Sequence, residues 1–273
     1  MFWFDANHTS RVIPEDFPHV SVKAAAVTIL PSSAGVKGEA RGIRADKGAV
    51  NEALAQDAIT RMIGEFDTIF DEEGQLKPMK GEPMEIHMRK DVLIKPLHIC
   101  NTRKTPYAFQ AAAKAKLDDD EENGIIEKVS EPSQWCSAML FVPKPGGKVR
   151  SVLDLVHLNK YVERPTHPFP TPRDIVAQIP CTSTCFAVFD ACNGYWQIPL
   201  DEALKALTTF ITEFGRYRYL RAPMGLVSSG DKFCARTDKA LSGVPGMHKL
   251  VDDILVFGDD YAELIERIRQ VFE

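Results

Sequence analysis

Apolar and polar positions along the chain change rhythm twice. Residues 1–50 mix proline, glycine, alanine and scattered charge without a period, and PSSAGVKGEARGIRADKGA reads as linker, so residues 1–50 are expected to be a linker or poorly ordered N-terminal segment. From Asn51 to Phe70, Leu54, Ala58, Met62 or Ile63, and Phe66 recur at helical spacing. With MEIHM read as a strand, residues 51–105 form a lead-in carrying one helix. A second helix is expected over Pro106 to Asn123, stopped by Asn123-Gly124. Short apolar runs and tight turns follow. AMLFVPKPGGKVRSVLDL predicts a hairpin with basic residues around its tip, CFAVF a buried strand ending at Asp190, and TTFITEFGRYRYLRAP a hairpin turning at Gly215. SSGDKFCARTDKAL has serine caps and helical spacing, HKLVDDILVF predicts a hairpin with aspartates at its turn, and DDYAELIERIRQVFE an amphipathic helix. The alternation makes residues 106–273 an α+β domain with no internal repeat.

Composition narrows the class. With 273 residues and 44% hydrophobic content the chain can bury a real core. VKAAAVTIL is too short and too near a lysine to span a bilayer, so no membrane partner is expected, and the chain is read as intracellular, not secreted. Six cysteines without a CxxC pair, and histidines without finger spacing, argue for reduced thiols over disulfides or zinc. A net charge of −5 argues against binding nucleic acid by bulk charge. The local balance differs: residues 141–173 hold six basic residues against two acidic ones, a pattern suited to phosphate contact or to a solvated face.

Asp252 and Asp253 are the acidic doublet with apolar residues on both sides, and a carboxylate among such residues needs water, a partner or a metal. If the strand ending at Asp190 pairs beside that hairpin, three carboxylates gather. Their mutual repulsion is most simply relieved by a divalent cation, and magnesium, an oxygen-seeking ion that keeps water and substrate phosphates in its shell, suits phosphoryl transfer.

FDACNGYWQIPL, TTFITEFGRYRYLRAPMGL and LVDDILVF, in that order and spacing, resemble the palm motifs of retroelement reverse transcriptases, most closely those of gypsy-type LTR retrotransposon Pol polyproteins. ENGIIEKVSEPSQWCSAMLFVPKPGGKVRSVLDLVHLNKYVERPTHPFPTP resembles their fingers, and the likeness covers residues 55 to 273. The resemblance implies right-hand polymerase fingers and palm over residues 106–273, with an antiparallel palm sheet backed by helices and the thumb absent. It implies Asp190, Asp252 and Asp253 as catalytic metal ligands, with Mg2+ as cofactor and Mn2+ as a possible substitute. Ala191 would lend its backbone near the triphosphate. Tyr195 would crowd the sugar 2′ position, although it also suits a core aromatic. Lys144 or Lys148, with Arg150, would close on the β- and γ-phosphates; Arg150 could instead pair with Asp154. Pro223, Met224 and Gly225 match the loop near the incoming base and template. The implied partners are an RNA or DNA template with primer, dNTPs, and further Pol domains (thumb, ribonuclease H, integrase), in a cytoplasmic virus-like particle or the nucleus.

Two positions depart from the family pattern: Leu250 replaces the aromatic usual two residues before the doublet, and LVSSGDKF replaces an Asn-Ala-Pro version. No Asp-Ser-Gly or Asp-Thr-Gly of an aspartic protease is present. A catalytically inactive nucleic-acid-binding remnant of a retroelement is the alternative reading, and a metal-dependent nuclease ranks last.

Overall fold

A computed structural model of the chain describes residues 28–30, 54, 57–66, 76–191 and 193–273. Their elements in chain order are β1 (Thr28–Leu30), α1 (residues 57–65), α2 (Tyr107–Glu122), β2 (Ile126–Lys128), β3 (Ser137–Pro143), β4 (Val149–Leu153), α3 (Val156–Asn159), α4 (Pro172–Gln178) and β5 (Cys185–Asp190). After these come β6 (Phe210–Thr212), β7 (Gly215–Tyr219), α5 (Val227–Ala240), β8 (Met247–Leu250), β9 (Asp253–Gly258) and α6 (Tyr261–Phe272). They divide into two compact units, one drawing on segments before Glu73, on Pro170–Cys192 and on Leu241–Glu273, the other on Glu73–Phe169 and Asn193–Ala240.

The first unit is an antiparallel sheet ordered β1-β5-β9-β8. Period-two alternation gives β5 and β9 two unlike faces. Cys185, Ala187, Phe189, Ile254 and Val256 point to one face, where Ile59 and Met62 of α1 and Leu264 and Ile268 of α6 cover them. Each such side chain taken fully out of water contributes about 1.5–3 kcal/mol. Helix α6 starts cleanly because Asp260 accepts a hydrogen bond from the Glu263 amide at 2.9 Å. In α4, Thr171 and Asp174 form a reciprocal capping box with Pro172 in the first turn.

The second unit is a sheet ordered β2-β7-β6-β3-β4, antiparallel except for the β3–β6 pair. Phe210, Tyr217 and Tyr219 stack within it, and all three are buried. Helix α2 ends as the Asn123-Gly124 pair predicts, with Gly124 at φ 62°.

Four expectations need correction or qualification. Within the segment read as linker, Thr28–Leu30 forms β1 against β5, since Thr, Ile and Leu suit a pleated edge; the rest of residues 1–50 lies outside the described residues. MEIHM is extended but not a strand. Met84 bridges Leu200 and Met88 bridges Val162, two separate partners too brief to build a ladder. Leu54, placed on the buried stripe of the first helix, is 59% exposed. Of the helix expected over residues 51–70, only Leu54 and residues 57–65 are described as helical.

Asp120 on α2 is 1% exposed and takes the Lys116 ammonium at 2.5 Å. Burial raises its pKa, outweighing the lowering effect of Lys116. With the folded pKa above the unfolded value of about 3.9, the native state holds the extra proton in the window between them. Its stabilising contribution is complete below that unfolded value and is lost as pH rises through the folded pKa. Asp120→Asn, fixed in a neutral form, is expected to gain stability relative to wild type as pH climbs through that window. Thermal melts of both proteins across mildly acid to neutral pH check this, and parallel profiles would refute it.

Candidate active site

The β5–β9 ladder sets Asp190 directly opposite Asp253. Directly paired residues carry their side chains on one face, with Cβ atoms about 4.5–5.5 Å apart, and like charges in that relation are destabilising. The pair lies on the face away from α1 and α6, at the end of the ladder where Val188 opposes Leu255 one step further in. Asp190 is exposed and Asp253 half-buried. Leu250, where the resemblance expects an aromatic, stands opposite Asp253 on β8.

Asp252 is exposed in the two-residue turn between β8 and β9, and its carbonyl accepts a hydrogen bond from the Ala191 amide at 2.9 Å. That bond ties the end of β5 to the turn. It also places the Ala191 backbone, expected near the triphosphate, beside the acidic doublet. Val251, the first residue of the turn, has φ 58°. A hairpin turn with positive φ at its first central residue favours glycine, and a β-branched residue there is strained.

The basic hairpin forms as its sequence predicts. Pro145–Gly147 make the tip, with Gly146 and Gly147 at φ 75° and 73°, and the Lys144 amide donates to the Lys148 carbonyl at 2.7 Å. Lys144, Lys148 and Arg150 are all exposed. Partial desolvation, followed by the positive charges of Arg150, Lys116 and Lys148, holds the Lys144 pKa below the ordinary lysine range. Crowded cations of this kind bind an anion to their mutual relief. Lys116 belongs to this field, which the sequence did not reveal because it lies on α2, far from the hairpin in the chain. Asp154 pairs with Arg103 at 3.6 Å, so the Arg150–Asp154 pair considered from sequence is replaced by another partner.

Tyr195 is half-buried in the short 3-10 turn Gly194–Gln197, its ring edge-on to Phe233. Met224 and Gly225 are exposed on the loop before α5. Gly225 has φ 92°, and an added Cβ would come within 3.4 Å of the Leu153 carbonyl. Asn159 holds this loop: its amide donates to the Gly225 carbonyl at 2.8 Å and accepts from the Val227 amide at 3.0 Å. Ser229 adds a bond to the Pro223 carbonyl at 2.8 Å. Sequence reasoning missed Asn159, whose only signal was its place within the HLNK run.

Among the described residues no group of three His, Cys, Asp or Glu is drawn together as a metal cage. The carboxylate set still suits a magnesium-type ion. Such an ion is held by one or two carboxylates, with water and phosphate oxygens completing its shell, and a facing aspartate pair offers that.

Residues 142–273 match the family described as reverse transcriptase (RNA-dependent DNA polymerase). A Drosophila melanogaster retrovirus-related Pol polyprotein from transposon 412 is 32% identical over 158 residues, 54% of this chain and 13% of the relative. That from transposon opus is 27% identical over 225 residues, covering 79% of this chain and 22% of the relative. The chain thus spans less than a quarter of the length of these curated relatives. Among solved structures, a prototype foamy virus protease-reverse transcriptase superposes with a TM-score of 0.70 at 23% identity, over 81% of this chain and 29% of that one. A foamy viral protease-reverse transcriptase in complex with dsDNA gives 0.70 at 22% identity, over 87% and 50%. The α+β fold is therefore that of reverse transcriptase fingers and palm.

The strain at Val251 has a measurable size. A non-glycine residue in the left-handed region costs roughly 1–2 kcal/mol. Val251→Gly is expected to recover about 1 kcal/mol after the entropy of the added glycine is deducted, raising the melting temperature. A lower melting temperature in calorimetry would show that Val251 packing outweighs its strain.

Proposed function

We propose that this chain, whose residues 142–273 match the reverse transcriptase family and which is similar to retrotransposon Pol polyproteins, serves as the fingers and palm of an RNA-directed DNA polymerase from a gypsy-type LTR element. The reaction is attack of a primer 3′-hydroxyl on the α-phosphate of a dNTP along an RNA or DNA template, with release of pyrophosphate. The observation that carries the reading is the facing of Asp190 and Asp253 with Asp252 on the adjoining turn. Asp190, Asp252 and Asp253 would hold Mg2+, or Mn2+ in its place, which when bound supplies positive charge against the charge developing at phosphorus. The ladder fixes Asp190 and Asp253 opposite each other, with Asp252 on the adjoining turn. Lys144 or Lys148, with Arg150, neutralises the β- and γ-phosphates through charge-assisted bonds. Tyr195 stands against the sugar and disfavours a 2′-hydroxyl, while Met224 and Gly225 border the base and template.

Solved relatives of this fold include foamy viral enzymes in complex with dsDNA and with an RNA/DNA hybrid, which supports a primer–template duplex as partner here. Thumb, ribonuclease H and integrase domains complete the proposed Pol protein, which acts in a virus-like particle or the nucleus. A second reading, a nucleic-acid-binding remnant without turnover, draws on the absence of a three-ligand cage among the described residues and on Leu250.

Primer extension on an RNA template, run with Mg2+ and with Mn2+ on this chain and on the full-length Pol protein, separates the two readings. Asp190→Asn is nearly isosteric but removes a negative charge, so incorporation should fall by roughly two orders of magnitude or more while template affinity stays near wild type. Wild-type inactivity in both proteins would favour the remnant. Full incorporation by Asp190→Asn would remove the metal-ligand role.

Tyr195→Ala should raise the ratio of rNTP to dNTP incorporation efficiency, because displacing the reacting phosphate by about 1 Å costs on the order of a hundredfold in rate, and the smaller residue lifts the clash that imposes that displacement. A wild-type ratio together with a lowered melting temperature would make Tyr195 a core aromatic only.

A further inference from the structure

Phe233 is 0% exposed on α5, and its ring meets that of Tyr195 edge-on, with centroids 5.4 Å apart at 80°. The same ring presses on the backbone that carries Tyr195. A Cβ added at Gly194 would lie 2.6 Å from Phe233 Cζ and 2.7 Å from Cε2, so only glycine leaves room for Phe233 at that point. Phe233 therefore touches both the selector ring and the peptide beside it. The turn itself is stiff. Asn193 enters it at φ 51°, the Trp196 amide donates to the Asn193 carbonyl at 2.8 Å, and the Ile198 amide donates to the Tyr195 carbonyl at 3.0 Å.

One helical turn earlier on α5, Gly230 lies beside the Tyr195 hydroxyl. A Cβ there would sit 3.6 Å from the Tyr195 hydroxyl oxygen and 4.0 Å from Phe169 Cζ, both ordinary contacts. Helix α5 thus meets the tyrosine ring at Phe233 and its hydroxyl end at Gly230.

We propose that Phe233 is a positioning residue for sugar selection: by fixing Gly194 and the Tyr195 ring together, it decides how closely that ring approaches the sugar of the incoming nucleotide. This rests on the sugar-selecting role of Tyr195 proposed above. Shortening Phe233 lets the ring sink, and the space gained admits a 2′-hydroxyl.

The test measures rNTP and dNTP incorporation efficiencies on one primer–template with full-length Pol protein, and nucleotide Kd values on a dideoxy-terminated primer, a readout that needs no turnover. Variants are Phe233→Leu, the volume-conserving Phe233→Met, Tyr195→Ala, the double variant Tyr195→Ala/Phe233→Leu, and Phe210→Leu. Phe210 is the control for lost packing: it is equally buried in the same unit, but its ring contacts are Tyr217 and Tyr219. The expected result is a rise of about tenfold in the rNTP-to-dNTP ratio for Phe233→Leu, carried mainly by rNTP KM and Kd. Phe233→Met should show a smaller rise in the same direction, Phe210→Leu none at a comparable loss of melting temperature, and the double variant no more than Tyr195→Ala alone. A wild-type ratio in Phe233→Met and Phe233→Leu while Tyr195→Ala raises it overturns the Phe233 role and leaves the Tyr195 reading standing. A Phe210→Leu ratio that rises equally also overturns it. An unchanged ratio in Tyr195→Ala itself defeats the underlying reading, and the inference with it.

Discussion

The structure of the candidate site depends on the pairing of β5 with β9. Six successive residue pairs, from Cys185↔Gly258 to Asp190↔Asp253, give one sheet two incompatible faces. One must be dry, because Ala187, Phe189, Ile254 and Val256 pack under α1 and α6. The other ends in two carboxylates that need water or a cation. A slip of one residue would exchange the faces, burying an aspartate and exposing Phe189. The hydrophobic core is thus the device that aims the acidic pair, and the metal chemistry proposed for it inherits its geometry from residues that never touch a nucleotide.

That is also why so much of this unit was legible in the sequence. CFAVFD and DDILVF are each a short apolar run bounded by acidic residues, and the doublet stands where such a run meets a turn. What could not be read is whatever depends on partners distant in the chain. Thr28–Leu30 has the composition of a strand, but nothing nearby says that an edge of β5 awaits it. Met84 and Ile86 are buried as a strand pattern requires, yet single bridges take the place of a ladder. Arg150 lies four residues from Asp154, and proximity in sequence suggested a pair that Arg103 occupies instead. The Ala191 amide is closed off by a carbonyl some sixty positions away.

In the second unit the departure LVSSGDKF has an internal rationale. Asp231 is 1% exposed, and its carboxylate accepts from Arg164 Nε at 2.9 Å and from the His167 amide at 2.8 Å. A buried carboxylate with two donors is satisfied, and losing either would leave a costly charge behind. Through Asp231, ERPTHPF is strapped to α5. Asn159 of α3 and Ser229 of α5 hold the loop's carbonyls from either side in the chain.

The first unit is assembled from three stretches of chain with the second unit's sequence threaded between them. During synthesis β5 finds β1 already made for one edge, but its other edge must wait through the making of β6, β7 and α5 for β9. Such non-local pairing is slow, and an unpaired apolar strand invites association with other nascent chains. The second unit, by contrast, lacks no later segment once Ala240 has been made. Vectorial translation therefore gives the two units different exposures to misassembly, and the sheet that carries the acidic pair is the last part of the described chain able to close.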